Sequence, residues 1–137
     1  MSSTHAASFS GGNYLAIANY TGNPAAFSVS CWVYLNASQQ SRMFFSNVKE
    51  SEGAGWGVGI SDVNADRLRL YLGTNTLETP TTLANLTWYH CVFTYDGTVA
   101  RSYLDGNTTP IGSLTSAARF MRVPRPRGSA RSSTMPR

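Results

Sequence analysis

Four side chains of this 137-residue chain have the chemistry to hold a sugar: Trp32 and Tyr34, two residues apart, and Arg69 and Tyr71, spaced the same way. Sugar rings present flat C–H faces that stack on Trp and Tyr, and their hydroxyls need amides, carboxylates or Arg nearby. A spacing of two puts each pair on one side of an extended strand, because strand side chains alternate. All four would make one surface if their strands lay in one sheet. Otherwise these aromatics cover the margin of the core, since large rings are usually mostly buried. Catalytic groupings are poorer. Glycoside hydrolysis needs two carboxylates flanking the scissile bond, and the one close pair, Glu50 and Glu52, sits in the Gly-rich connection KESEGAG with no rigid element to hold it. His5 falls in an N-terminal arm and His90 in a strand without an evident Ser or Cys partner, so His90 reads as a structural histidine. No enzyme is expected.

The stretch Asp62-Val63-Asn64-Ala65-Asp66 has the opening spacing of an EF-hand loop. Arg67 stands where that loop requires Gly, and Gly73 where it requires a bidentate Glu, so the segment reads as a polar turn. The two cysteines, Cys31 and Cys91, have no zinc spacing; both fall among apolar strand positions, where a thiol serves as a small hydrophobe.

The elements that would position these groups are short strands. In WYHCVFTYDGTVARSYLDGN, residues 88–107, an Asp-Gly dipeptide closes each of two aromatic or β-branched runs, at Asp96-Gly97 and Asp105-Gly106. Asp and Gly tolerate the positive φ that tight turns need, so each pair marks a chain reversal. Tyr89, Cys91, Phe93 and Tyr95 then share one face, and His90, Val92 and Thr94 the other. FSVSCWVYL puts Phe27, Val29, Cys31, Val33 and Leu35 on one side, and RLRLYLG does the same for Leu68, Leu70 and Leu72. Strands are expected at Ala7–Phe9, Tyr14–Ala18, Phe27–Leu35, Met43–Asn47, Trp56–Ile60, Arg67–Gly73, Trp88–Tyr95 and Ala100–Leu104. No segment longer than a turn carries helical periodicity. The aliphatic faces should pack between two sheets, leaving the mixed faces to solvent or ligand.

Composition fits a single turn-rich β domain, with 12 Gly and 13% charged residues. No apolar run is long enough to span a membrane. The start, Met-Ser-Ser-Thr-His, has neither the basic nor the apolar region of a signal peptide, so the chain is expected to act inside the cell or as one piece of a longer exported or virion protein. The net charge is +4, but residues 1–116 hold five basic groups (Arg42, Lys49, Arg67, Arg69, Arg101) against seven acidic ones. All the positive excess lies in the six Arg of residues 117–137, so nucleic-acid binding is not expected of the body of the chain. With three of the six Pro and few apolar groups, 117–137 reads as a disordered tail, and 6–116 as the domain.

The ordered series FSVSCWVYL, MFFSN, GWGVGI, RLRLYLG, LANLTWYHCVFTYDG and VARSYLDG resembles the laminin-G-like branch of the concanavalin A-like lectin/glucanase superfamily, and AASFSGGNYLAIAN resembles its first strand. The resemblance covers roughly residues 6–112 and implies an all-β fold, a two-sheet antiparallel jelly-roll sandwich. It breaks off after the second Asp-Gly, where complete members add a Gly-rich turn and a closing strand; an Arg-Pro tail stands there instead, so the last strands are expected to be lacking. The resemblance further implies a non-catalytic module that binds a glycan or glycosylated surface within an extracellular or virion protein, with a purely structural or protein-interaction role as the alternative. Related modules bind calcium at a loop rim, which nominates Asp62, Asp66, Asp96 and Asp105. Pentraxins, similar in fold, join the strands that hold Cys31 and Cys91 by a disulfide, each cysteine offset by one position from those here, which leaves a Cys31–Cys91 bond or two buried thiols.

Overall fold

The computed structural model describes residues 5–10, 12–17, 24–47 and 55–115. Among the described residues eight strands form: β1 (Phe27–Tyr34), β2 (Arg42–Ser46), β3 (Trp56–Ile60), β4 (Arg67–Leu72), β5 (Asn75–Thr82), β6 (Trp88–Tyr95), β7 (Val99–Leu104) and β8 (Gly112–Thr115). They make two antiparallel four-stranded sheets, ordered β1-β6-β7-β8 and β2-β3-β4-β5, which is the all-β sandwich the alternation implies. The inward faces are the ones the sequence marks. Val33, Leu68, Leu70, Leu72, Cys91, Phe93 and Tyr95 lie in one buried core, and Phe27, Val29, Cys31 and Tyr89 pack against it.

Two seams hold the sheets together. At one, Trp56 of β3 turns inward and stacks on Phe27 of β1 with ring centroids 4.4 Å apart, which gives this Trp a structural place the sequence did not reveal. At the other, β8 packs on β5 with Gly112 facing Thr79 and Leu77, where a Cβ would make ordinary van der Waals contact at 3.4 and 3.5 Å.

Both Asp-Gly pairs are reversals. Asp105 and Gly106 have φ of 51° and 72°, and the Asn107 amide donates to the Leu104 carbonyl at 3.0 Å, a tight turn with both central residues left-handed. At the other, Gly97 has φ 95° and the Asp96 carboxylate accepts from the Thr98 and Val99 amides at 2.9 and 2.7 Å.

The structure corrects four expectations. Ala7–Phe9 is not a strand, and neither is the described part of Tyr14–Ala18. Phe9, Tyr14, Leu15 and Ile17 are instead exposed, since strand pattern becomes strand only where a neighbouring edge supplies hydrogen bonds. In the other direction, β5 and β8 form where none was expected. Residues 117–137 and the Glu50–Glu52 pair lie outside the described residues, as does the expectation of a disordered tail and missing last strands.

Candidate functional site

Alternation along β1 sends Ser28, Ser30, Trp32 and Tyr34 outward, and along β6 it sends Trp88, His90, Val92 and Thr94 outward. The register sets Trp32 opposite His90 and Tyr34 opposite Trp88. Across the strand pair the rings meet: Trp32 stacks on His90 at 5.1 Å with planes 28° apart, and Tyr34 lies 5.2 Å from Trp88 at 43°. Ser30 Oγ and His90 Nε2 are 2.8 Å apart, and the His90 backbone amide donates to Asp105 at 2.8 Å. Trp32, Trp88 and Tyr34 are nonetheless 66%, 50% and 42% exposed. Three large rings are thus held in register and left open to solvent.

Because Trp32 spends one face of its indole on His90, its remaining face looks away from β6, over the edge of β1. No other described strand pairs with that edge. Trp32 and Tyr34 were legible as outward-facing aromatics. Trp88, His90 and Ser30 were missed as members of the same site, although the alternation already placed His90 outward. What the sequence lacked was the β1–β6 register that brings them beside Trp32 and Tyr34.

Arg69 and Tyr71 do not join that surface. β4 belongs to the other sheet, and its outward residues look from the opposite side of the sandwich, so the one-sheet condition for a four-residue surface is not met. There the Arg69 guanidinium is ion-paired with Asp62, donates to Thr76 Oγ1 at 3.0 Å, and sits 5.1 Å over the Tyr71 ring. Tyr71 donates its phenol proton to Asp62 at 3.0 Å; burial, then that bond, push its pKa up. Beside this group Glu78 accepts from the Ser61 hydroxyl and from Asn64 Nδ2, the latter at 2.6 Å, with Arg67 3.7 Å away. The Ser61 bond leads in holding Glu78 below the usual carboxylate range. These contacts fasten the connection between β3 and β4 onto β5.

The four aspartates suggested for calcium are not gathered into one site. Asp66 is buried and accepts from Ser38 Oγ at 2.8 Å and the Gln39 amide at 2.6 Å, tying the β1–β2 connection to the β3–β4 turn. Asp62 serves Arg69 and Tyr71. Asp96 and Asp105 sit at opposite ends of β7. Asp96 is held down to about 2, first by the Val99 amide, then by Arg101 and the Thr98 amide. Among the described residues no three His, Cys, Asp or Glu side chains come together to hold a metal ion.

Cys31 and Cys91 face each other directly in the β1–β6 register, both as free thiols. No helix among the described residues is long and apolar enough to cross a membrane. No curated protein and no solved structure matches the chain. A family model described as the concanavalin A-like lectin/glucanases superfamily, of laminin-G type, does match, over residues 9–124. With most of its length matched and its strands arranged as a two-sheet antiparallel sandwich, the chain belongs to the concanavalin A-like lectin/glucanases superfamily.

Proposed function

We propose that the chain is a non-catalytic carbohydrate-binding module of a longer extracellular or virion protein, and that it takes its ligand on the outer face of β1 and β6. The observation that carries this reading is the set of exposed rings Trp32, Tyr34 and Trp88, arranged in cross-strand pairs beside Ser30 and His90. A folded domain gains about 1.5–3 kcal/mol by burying one large apolar side chain. Three left open in one place are a patch of the kind that marks an interaction site. Stacking partners with a hydroxyl and an imidazole alongside suit a sugar, which offers a C–H face ringed by hydroxyls.

The test is a glycan panel with the full chain. Saturable binding should weaken roughly tenfold in Trp32→Ala, one stacking contact being lost, while the thermal unfolding transition stays in place, because Trp32 packs on the surface and not in the core. Absence of binding across the panel would favour a structural or protein-interaction module. One observation supports that second reading: Phe27, Val29 and Cys31 are only half-buried on β1, whose outer edge pairs with no described strand, and an added protein strand there would cover them.

A further inference from the structure

The outer face of β1 and β6 carries no Asp, Glu, Lys or Arg: its eight outward residues are Ser, Thr, Val, Trp, Tyr and His. The one charged outward residue on β7, Arg101, lies opposite Thr94, towards the other end of β6 from Trp88. It is already paired with Asp96 at 2.8 Å. The carboxylate near the rings, Asp105 beside His90, would repel an anion. In the other sheet, by contrast, Arg67, Arg69, Asp62 and Glu78 crowd together. Charge complementarity therefore separates the two faces, and the aromatic one suits an uncharged ligand.

Shape narrows it further. Trp32 and Tyr34 are successive outward residues of one strand, roughly 6.5–7 Å apart at the rise of a β-strand. The stacking of Trp32 on His90 turns its free face over the edge of β1 with which no other described strand pairs. Two exposed rings in succession along one strand offer more stacking surface than one sugar needs, and they can serve two sugars in succession. Beyond them along the strand, Ser30 and Ser28 continue as a row of hydroxyls. A chain that keeps to such a line must itself be extended. Equatorial β-1,4 linkages produce an extended ribbon whose C–H faces recur along it, whereas α-1,4-linked glucans coil away from such a row.

We infer that the ligand is an uncharged, extended, β-linked polysaccharide, bound at internal residues along β1 through Trp32 and Tyr34; this rests on the carbohydrate reading above. The full chain should be retarded in gels containing hydroxyethylcellulose. Raising the salt should leave that retardation unchanged, because no ion pair is formed. Trp32→Ala and Tyr34→Ala should each weaken binding roughly tenfold, the equivalent of one lost stacking contact, and Trp32→Phe should recover part of it. Arg101→Ala should bind as the parent does. Cello-oligosaccharides should compete better as they lengthen, and glucose hardly at all.

Tighter binding to heparin with steep salt dependence would overturn the inference, as would equal competition by glucose or a preference for amylose. In each of those cases Trp32-dependent binding would leave the carbohydrate reading standing. Absence of binding to every glycan would overturn both.

Discussion

Cys31 and Cys91 sit side by side on the inward face of β1 and β6, and burial pushes their thiols up to about 11 and about 12. The nucleophile is the thiolate, so at neutral pH both should be inert. In the reduced protein a thiol reagent should label neither cysteine quickly under native conditions and both on unfolding. Rapid native labelling would show that β1 does not stay closed against β6. The same shifts set a pH dependence whose sign follows from proton counting. Above the ordinary thiol value, near 8.5, the unfolded chain loses thiol protons that the folded chain retains, so the unfolded state is favoured as pH rises. Stability should therefore be flat up to about pH 8.5 and decline from there towards the folded values. Urea midpoints between pH 7 and 10 measure it, and Cys91→Ala should flatten the slope. The cross-strand opposition also bears on the disulfide implied by the pentraxins: directly opposed strand residues have Cβ atoms about 4.5–5.5 Å apart, close to the span a disulfide needs.

Strands β2 and β3 meet through an irregularity: Met43 opposes Gly59 and Phe45 opposes Val58, leaving Phe44 as the extra residue of a bulge. The bulge brings the β2 backbone onto Gly59, where a Cβ would fall on the Arg42 carbonyl oxygen and 2.8 Å from Met43 Cα. Backbone cannot swing aside as a side chain can, so Gly59→Ala should destabilise by about 1–3 kcal/mol, read as a lowered urea midpoint at unchanged slope. At this scale the sequence was legible where alternation was strong. β3 and β6 run as expected, β1, β4 and β7 differ by one residue at one end, and β2 is shifted by one residue at both. It was illegible where a strand lacks that signal. β5, NTLETPTT, buries only Leu77 and Thr79 and contains Pro80, which argues against a central strand. The structure admits Pro80 because β5 is an edge strand whose register with β4 breaks between Arg67 and Arg69. β8, GSLT, is four residues long with one large apolar group, and its place depends on pairing with β7 and packing against Leu77 and Thr79 of β5, contacts no local pattern encodes. The site divides the same way: outward aromatics could be read from spacing, but which of them become neighbours depends on register and sheet order.

Across the whole molecule, protection should follow sheet position more than strand length. β6 has partners on both sides, as do β3 and β4, and these three hold Phe93, Cys91, Val58, Ile60, Leu68 and Leu70, all with essentially no solvent exposure. Their amides can exchange only when the sandwich opens as a unit, so they should share one slow rate in hydrogen exchange. β1, of equal length to β6, is an edge, and its inward Phe27, Val29 and Cys31 are half-buried. The amides on its free side should exchange faster than those facing β6, giving an alternating pattern along Phe27–Tyr34. The exposed segment 12–17 should exchange within the dead time. A saturating glycan that lies along β1 would slow the free-side amides of that strand and leave β3 and β4 unchanged, since their sheet is on the far side of the core. Protection spread evenly over both sheets would instead mean global stabilisation by a ligand bound elsewhere. Fast exchange in β6 without ligand would show that eight strands do not close the core and that the module folds only with more chain around it.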